Sequence, residues 1–387
     1  MKRIILVLLM ILMTCFNVQA SEINNSAVST QQNTENEQVE RFYDYITNMK
    51  TKYELLDGID AKTYVKDFIK TGDGKISTKK LARDLSVYAF RELAASLKLL
   101  ALLVVIALIC ALLTNLQKAF TSESLSNIAY FACYSLLIII MAKSFYIGVD
   151  TARTTIKEMS EFMTALVPIL IMLVASVGGF VEAAIMDPII IGAITISAKI
   201  FIDVIIPIIC MTFVLQFVNN LSSEYKIDKL TKLLNQVAMW MQGIIMTIFI
   251  GIITIRGISA KTIDEVTAKT AKFAVDNFIP IVGKSLSDAI STVAGYSILL
   301  KNALSSFGLV VLIVIMLFPI IKLFIMSFLF KLTAALIEPI SDSRLVNCIN
   351  SAGSSIVLVT SCLICVSVMF FIMIAIISTA GKVMIGT

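Results

Sequence analysis

Few side chains in this sequence have the types and spacing that chemistry requires. The first candidate is Gly283-Lys284-Ser285, which lies within FIPIVGKSLSD and matches the end of a phosphate-binding loop. Such a loop needs another glycine five residues earlier and a strand in front, because its backbone N–H groups wrap the phosphates. Phe278 occupies the earlier position and the flanking patterns are helical. The tripeptide is therefore interpreted as a coincidence.

The same stretch predicts an interrupted membrane helix. Pro280 and Gly283 are helix breakers that follow an amphipathic segment and precede an apolar run. Lys284 and Asp288 are four residues apart, a spacing at which opposite charges on one helix face neutralise each other. We therefore assign these four residues a structural role.

Redox, metal and histidine chemistry have little support. The chain has no histidine, which excludes catalytic triads, histidine-based zinc sites and histidine proton relays. Cys362 and Cys365 form a C-x-x-C pair, but the pair lies in the apolar run SCLICVSVMFF, where cysteine usually behaves as a small hydrophobic residue. We predict no enzymatic activity, no metal and no cofactor.

Lys199 and Asp203 are the ionisable residues deepest in a long apolar run, which also contains Pro207. A charge within a span costs about 2.5–3.5 kcal/mol on insertion scales, so it normally has a partner or water. The i,i+4 spacing allows a self-neutralised pair packed between helices. It equally allows a polar face that lines a water-filled path. The sequence leaves both interpretations open.

The elements that position these residues belong to a membrane. The chain is 58% hydrophobic and 15% charged, with a mean hydropathy of +0.91. Soluble domains are about 25% charged and about 45–50% apolar. The composition predicts an all-α polytopic membrane protein. The net charge of +5 is small for 387 residues, so no nucleic-acid partner is expected.

The N-terminus has the organisation of a secretory signal peptide over residues 1–20, with a basic start, a short apolar core and Val18-Gln19-Ala20 before the expected cleavage point. Residues 21–96 are then extracytoplasmic: a polar spacer is followed by a small helical domain. Its helices are indicated by apolar residues at helical spacing, including Tyr64 and Val65.

Eight apolar runs predict about seven to eight transmembrane helices. They lie near 97–116, 127–149, 162–181, 188–218, 237–255, 286–300, 307–330 and 354–378. The run 188–218 is too long for one straight span, so it is either one kinked helix or two. Their orientation stays open, because the basic residues before the first run favour a cytoplasmic N-terminal side, against the signal peptide.

Two Pro-Ile landmarks recur 112 residues apart. Pro168 corresponds to Pro280, and Pro207 corresponds to Pro319. Behind the first two spans (97–150), the chain then divides into two membrane repeats, 151–262 and 263–387. Three spans in each unit give an inverted repeat with interrupted helices, an architecture found in secondary transporters. X-Pro-Ile also arises by chance in an isoleucine-rich chain.

The second half of the chain resembles a known family. TAKFAVDNFIPIVGKSLSDAISTVAGYSILLKN and LFPIIKLFIMSFLFKLTAALIEPISD are similar to segments of the stage III sporulation protein AE family of endospore-forming bacteria. The similarity continues back through ASVGGFVEAAIMDPII and NNLSSEYKIDKLTKLLNQVA to RFYDYI. It covers nearly the whole chain behind the signal peptide and includes no catalytic motif.

The resemblance implies a role in sporulation. Members are multi-pass subunits of a channel or feeding-tube complex in the mother-cell membrane, which becomes the outer forespore membrane. Implied partners are the other stage III A operon membrane proteins, the forespore-side channel protein and the lipid bilayer. The complex supports spore development and late forespore gene activation. The alternative function is a secondary transporter built on inverted repeats.

Overall fold

The computed structural model describes residues 39–49, 60–72, 78–119, 123–177, 180–221, 227–278 and 283–380, and every regular element in them is helical. The elements are α1 (39–49), α2 (Ala61–Thr71), α3 (Thr78–Ala119), α4 (Glu123–Ser176), α5 (Phe180–Ile200), a π-helical turn (Phe201–Ile205), α6 (Ile206–Leu221), α7 (Asp228–Phe278), α8 (Gly283–Ile337) and α9 (Ser343–Thr379). The all-α prediction is confirmed. The predicted signal peptide and most of the spacer behind it lie outside the described residues.

Six helical segments in the described ranges are long and apolar enough to cross a membrane, which confirms the polytopic prediction. They are Ala82–Leu113, Tyr134–Ser176, Pro188–Asn219, Asp228–Ile255, Gly295–Ile337 and Ser343–Thr379. The eight predicted runs fall on these six segments because α4 and α8 each carry two runs. The run 188–218 is one helical path that contains the π turn.

Helix α4 continues through a charged stretch that hydropathy alone treats as a loop. Residues 150–161 contain no glycine or proline, and Lys157 and Glu161 pair at 3.8 Å on the exposed side. The inner side stays apolar throughout, since Ile156 and Met159 are fully buried at helical spacing. Each 43-residue span of α4 and α8 is about 65 Å long. Both therefore extend beyond a hydrocarbon layer of about 30 Å.

The chain divides into two compact units inside α1, at Thr47 and Asn48. In α1, Val39, Phe42 and Ile46 are buried at helical spacing.

In the second unit, α2 begins at a cap where the Asp60 carboxylate accepts a hydrogen bond from the Thr63 N–H. It ends at Gly72, whose φ of 74° favours glycine. Tyr64 of α2 packs its ring 5.4 Å from that of Phe307 in α8. The Tyr64 hydroxyl lies 2.9 Å from Ser306 Oγ. These two contacts attach α2 to α8.

Helix α3 crosses the predicted boundary between the N-terminal segment and the first span at residue 96. It runs without interruption for 42 residues, so the basic segment and the span share one helix. Tyr88 packs edge-on against Phe318 of α8, with ring centroids 4.4 Å apart. The basic part of α3 therefore lies beside the middle of α8.

Helix α9 forms the centre of the second unit, in contact with α4, α6, α7 and α8. It approaches α8 closely at Gly353, where an added Cβ would lie 3.2 Å from both Phe330 Cβ and the Ser327 carbonyl oxygen. The Ser327 hydroxyl donates to the Gly353 carbonyl at 2.9 Å. Small residues at a helix crossing allow close backbone packing in membrane proteins. Gly353 thus sets the distance between α8 and α9.

Candidate functional site

The interior of the second unit contains a line of hydrogen-bonded polar groups along α9, which we call the polar seam. Its members are Tyr134 of α4, Gln216 of α6, Gln242 of α7, and Cys348, Ser355, Ser361, Cys362 and Cys365 of α9. The seam joins α9 to three of its four main neighbours.

Gln242 has the densest contacts of the seam. Its Nε2 donates to Cys362 Sγ at 3.2 Å, and its Oε1 accepts from Ser361 Oγ at 2.7 Å. Cys365 Sγ lies 3.9 Å from the same oxygen. The glutamine is 4% exposed, so its amide depends on these partners. The C-x-x-C pair therefore packs against an amide as two free thiols.

Two more contacts continue the seam toward the start of α9. The Ser355 hydroxyl lies 3.1 Å from Gln216 Oε1, to which it donates. The Tyr134 hydroxyl contacts Cys348 Sγ at 3.6 Å and the Phe217 carbonyl at 3.4 Å. Because these groups sit at different heights on α9, they fix both its rotation and its vertical position.

The chemistry available to the seam is hydrogen bonding between uncharged groups. Within the described residues, no three His, Cys, Asp or Glu side chains lie together as metal ligands would. Amides, hydroxyls and protonated thiols supply neither a general base nor a fixed charge. In a low-dielectric interior, a satisfied polar network specifies one arrangement of helices. The geometry therefore indicates a structural role, in which the polar seam holds the helices in one arrangement.

Lys301 is a buried cation at the opposite end of α9. It lies on α8, has no exposed surface, and donates from Nζ to the carbonyl oxygen of Ala380. Ala380 is the C-terminal cap of α9. The last carbonyls of a helix lack intrahelical partners and form the negative end of the helix dipole. Lys301 therefore caps α9 from the neighbouring helix.

Lys199 lies two residues before the π turn, and Asp203 lies within it. Both side chains are exposed on the single chain. No ion pair joins them in the described structure, although their sequence spacing permits one. The Ile206 N–H bonds the Phe201 carbonyl, which is the wider π pattern. The Ile202 carbonyl accepts instead from Arg153 Nη2 of α4 at 3.2 Å. Arg153 therefore links α4 to the π turn.

The predicted prolines within the described residues occupy two different settings. Pro168 and Pro319 lie inside α4 and α8, which continue past them, whereas Pro207 is the second residue of α6, directly after the π turn. Continuous helices tolerate proline in membranes because neighbouring groups satisfy the freed carbonyl. Pro280 lies outside the described residues. The repeat that pairs these prolines stays a prediction.

The helices α7 and α8 meet at the stretch that resembles a phosphate loop. Helix α7 ends at Phe278 and α8 begins at Gly283. Lys284 and Asp288 lie in the first turns of α8, and their side chains are outside the described part of the chain. Their predicted neutralisation stays a prediction.

Four polar residues that shape the bundle are absent from the sequence-based predictions: Tyr134, Gln216, Gln242 and Lys301. Gln216 and Gln242 are lone amides inside apolar runs, a pattern that indicates interhelical hydrogen bonds. Lys301 lies between the predicted runs 286–300 and 307–330. Polar residues within or between apolar runs are the signal that identifies such positions.

Replacing Gln242 by leucine is expected to lower the unfolding free energy by about 1 kcal/mol, since Cys362 and Ser361 lose a buried partner. Gln236→Leu is the matched control, because Gln236 lies on the same helix and is exposed. SDS-induced unfolding of the purified chain measures both. Equal losses of unfolding free energy at the two positions would contradict the structural role of the polar seam.

Comparisons with known proteins agree with the sequence resemblance. Residues 59–381 match the family model described as Stage III sporulation protein AE. A protein of Bacillus subtilis (strain 168) with the same description is 34% identical over 345 residues, covering 89% of this chain and 86% of that protein. No solved structure matches the chain.

Proposed function

The chain belongs to the stage III sporulation protein AE family, and from that membership we propose that it is a structural subunit of a channel complex between mother cell and forespore. A role in sporulation and a membrane location follow from the family and from the six long apolar segments. The finer proposal places the chain in the mother-cell membrane, with its N-terminal segment outside the cytoplasm.

The position of the mid-span charges supports a subunit over a self-contained transporter. Ionisable residues of a transporter face the bundle interior or a water-filled cavity, where substrate or ions pass. Here Lys199, Asp203 and Arg153 are exposed on the outside of the single chain, and the polar seam in the interior is uncharged. The buried Lys301 is bonded to the helix end that it caps. Groups that face outward within apolar spans fit a chain that is completed by neighbours.

The proposed neighbours are the other membrane proteins of the stage III A operon and, directly or through them, the forespore-side channel protein. The chain supplies a rigid bundle to such an assembly. Its interior is locked by the polar seam, its last helix is capped by Lys301, and its long helices α4 and α8 extend beyond the bilayer. The proposed role requires no catalysis by this chain.

Affinity purification from sporulating cells tests this role. A tagged copy of the full chain is expected to co-purify with the other stage III A proteins in one large complex. A tagged multi-pass protein of another pathway, purified in parallel, controls for membrane carry-over. Recovery of the chain without these proteins contradicts the proposal, as does solute uptake by vesicles that contain this chain alone.

A further inference from the structure

We propose that the exposed face of α5 and α6 is a homotypic interface, on which a second copy of this chain packs. We call this surface the α6 face. It consists of Lys199, Asp203, Val204, Met211, Val214 and Val218. The contact does not depend on the channel partners proposed above, so it is expected to form in membranes that lack them.

The charges on the α6 face belong to an apolar span. Pro188–Asn219 is a 32-residue apolar span, and about 20 residues cross the hydrocarbon layer. Every 20-residue segment of this span includes Asp203. An exposed aspartate there would face lipid at a cost of about 2.5–3.5 kcal/mol on insertion scales. Cations of the same copy lower part of that cost, and a protein neighbour that covers the charges lowers it further.

The apolar part of the α6 face has the spacing of a helix-packing seam. Val204, Met211 and Val218 are seven residues apart, and Val214 lies between the last two at a 3–4 spacing. These four side chains are 40–62% exposed. Apolar residues that repeat every 3.5 positions present one continuous stripe to a partner helix. Pro207, half-buried, occupies the remaining position of the stripe.

The charges lie beside this stripe at the π turn. Asp203 and Val204 are consecutive in the turn, and both are exposed. Arg153 of α4 reaches the Ile202 carbonyl beside them at 3.2 Å. The charged end of the α6 face therefore contains both signs, the Lys199 ammonium and the Asp203 carboxylate, and the Arg153 guanidinium lies at its edge.

The mixture of signs identifies a second copy as the occupant. A two-fold interface places residue i against j of the partner and j against i of the partner, so a patch of mixed charge complements itself. Copies inserted in the same orientation have their two-fold axis along the membrane normal. Each α6 stripe then packs on its equivalent, and Lys199 of one copy reaches Asp203 of the other. A partner of one charge sign would leave part of the patch unpaired.

Disulfide cross-linking tests the apolar part of the interface in membrane vesicles that contain the full chain without other sporulation proteins. Met211→Cys on the α6 face is expected to give at least ten times more cross-linked dimer than Ile248→Cys on α7. Ile248 is the matched control, because it is apolar and similarly exposed, at 55% against 62% for Met211. The chain with only its native cysteines is the baseline. Equal yields at the two positions overturn the proposal.

Charge exchange between copies tests the ionic part. In the Met211→Cys background, Lys199→Asp alone and Asp203→Lys alone are each expected to lower the dimer yield at least fivefold. Co-expression of the two variants is expected to restore it to within twofold, because each mixed dimer again pairs opposite charges. An intrachain pair cannot be restored between copies. Yields that stay low on co-expression, with both chains present at normal levels, overturn the proposal.

Discussion

Replacing Gly353 by leucine is expected to lower the amount of the chain in membranes about tenfold. A Cβ at this position would lie 3.1 Å from Lys331 Cγ and 3.2 Å from Phe330 Cβ and the Ser327 carbonyl oxygen. Leucine adds three more carbons to that space. Overpacking typically costs about 1–3 kcal/mol, and a backbone oxygen in the contact allows little relief. Losses of this size reduce cellular abundance several-fold or more.

The expected loss arises from the α8–α9 crossing and not from removing glycine itself. Gly243 of α7 provides the matched control, because nothing lies within 4 Å of a Cβ built there. Gly243→Leu is therefore expected to leave abundance near that of the wild type, and Gly353→Ala to give an intermediate value. Quantitative immunoblots of membrane fractions measure all three. Normal abundance of Gly353→Leu would show that α8 and α9 are not packed through this residue.

Exchange of Lys301 for glutamate is expected to have the second-largest effect, again about a tenfold loss of folded chain. The ammonium of Lys301 has no exposed surface and bonds the Ala380 carbonyl at the end of α9. A carboxylate there would face carbonyl oxygens and the negative end of the helix dipole. Lys301→Met removes only the donor and is expected to cost about 1–3 kcal/mol, since a buried carbonyl loses its partner.

Lys143→Met is the matched control for these variants, because Lys143 lies in the apolar span of α4 and is exposed. Its abundance and SDS-induced unfolding are expected to match those of the wild type. Buried charges can also be replaced by apolar groups with a gain in stability, when desolvation of the ion outweighs its contacts. A Lys301→Met chain more stable than the wild type would therefore refute the capping role.

The sequence predicts the class of this fold well and its packing poorly, and α4 shows why. Hydropathy averages all sides of a helix, so the charged stretch 150–161 divides one helix into two predicted runs. The side that decides packing is apolar throughout, with Ile156, Met159 and Phe162 fully buried. Averaging over a window conceals this periodic pattern.

Helix neighbours lie beyond the reach of hydropathy for a different reason. The two glutamines of the polar seam, Gln216 and Gln242, are visible in the sequence as amides in apolar runs. Their partners, Ser355 and Ser361, lie 139 and 119 residues further along the chain. One sequence contains no information that pairs them. Local spacing, by contrast, succeeds where the contact is on one helix: Tyr64 and Val65 are buried as predicted.

For the candidate site residues too, the sequence shows local position but not the contacts between helices. The sequence places Lys199 and Asp203 within a span, and their predicted role stays a prediction. That both side chains are exposed depends on how α5 and α6 pack, which the sequence does not show. Arg153 lies in the charged stretch 150–161, where the sequence does not distinguish one cation from the charged residues around it. Its importance arises from the Ile202 carbonyl of another helix.

The central position of α9 has a consequence for how the protein is made. Of the helices described, α9 leaves the ribosome last, yet it carries the partners of Tyr134, Gln216 and Gln242. Until it is inserted, those three groups lack the contacts that the finished bundle provides. The bundle therefore cannot close before α9 has been synthesised and inserted. A nascent chain that stops near residue 340 therefore lacks the central helix against which α4, α6, α7 and α8 pack.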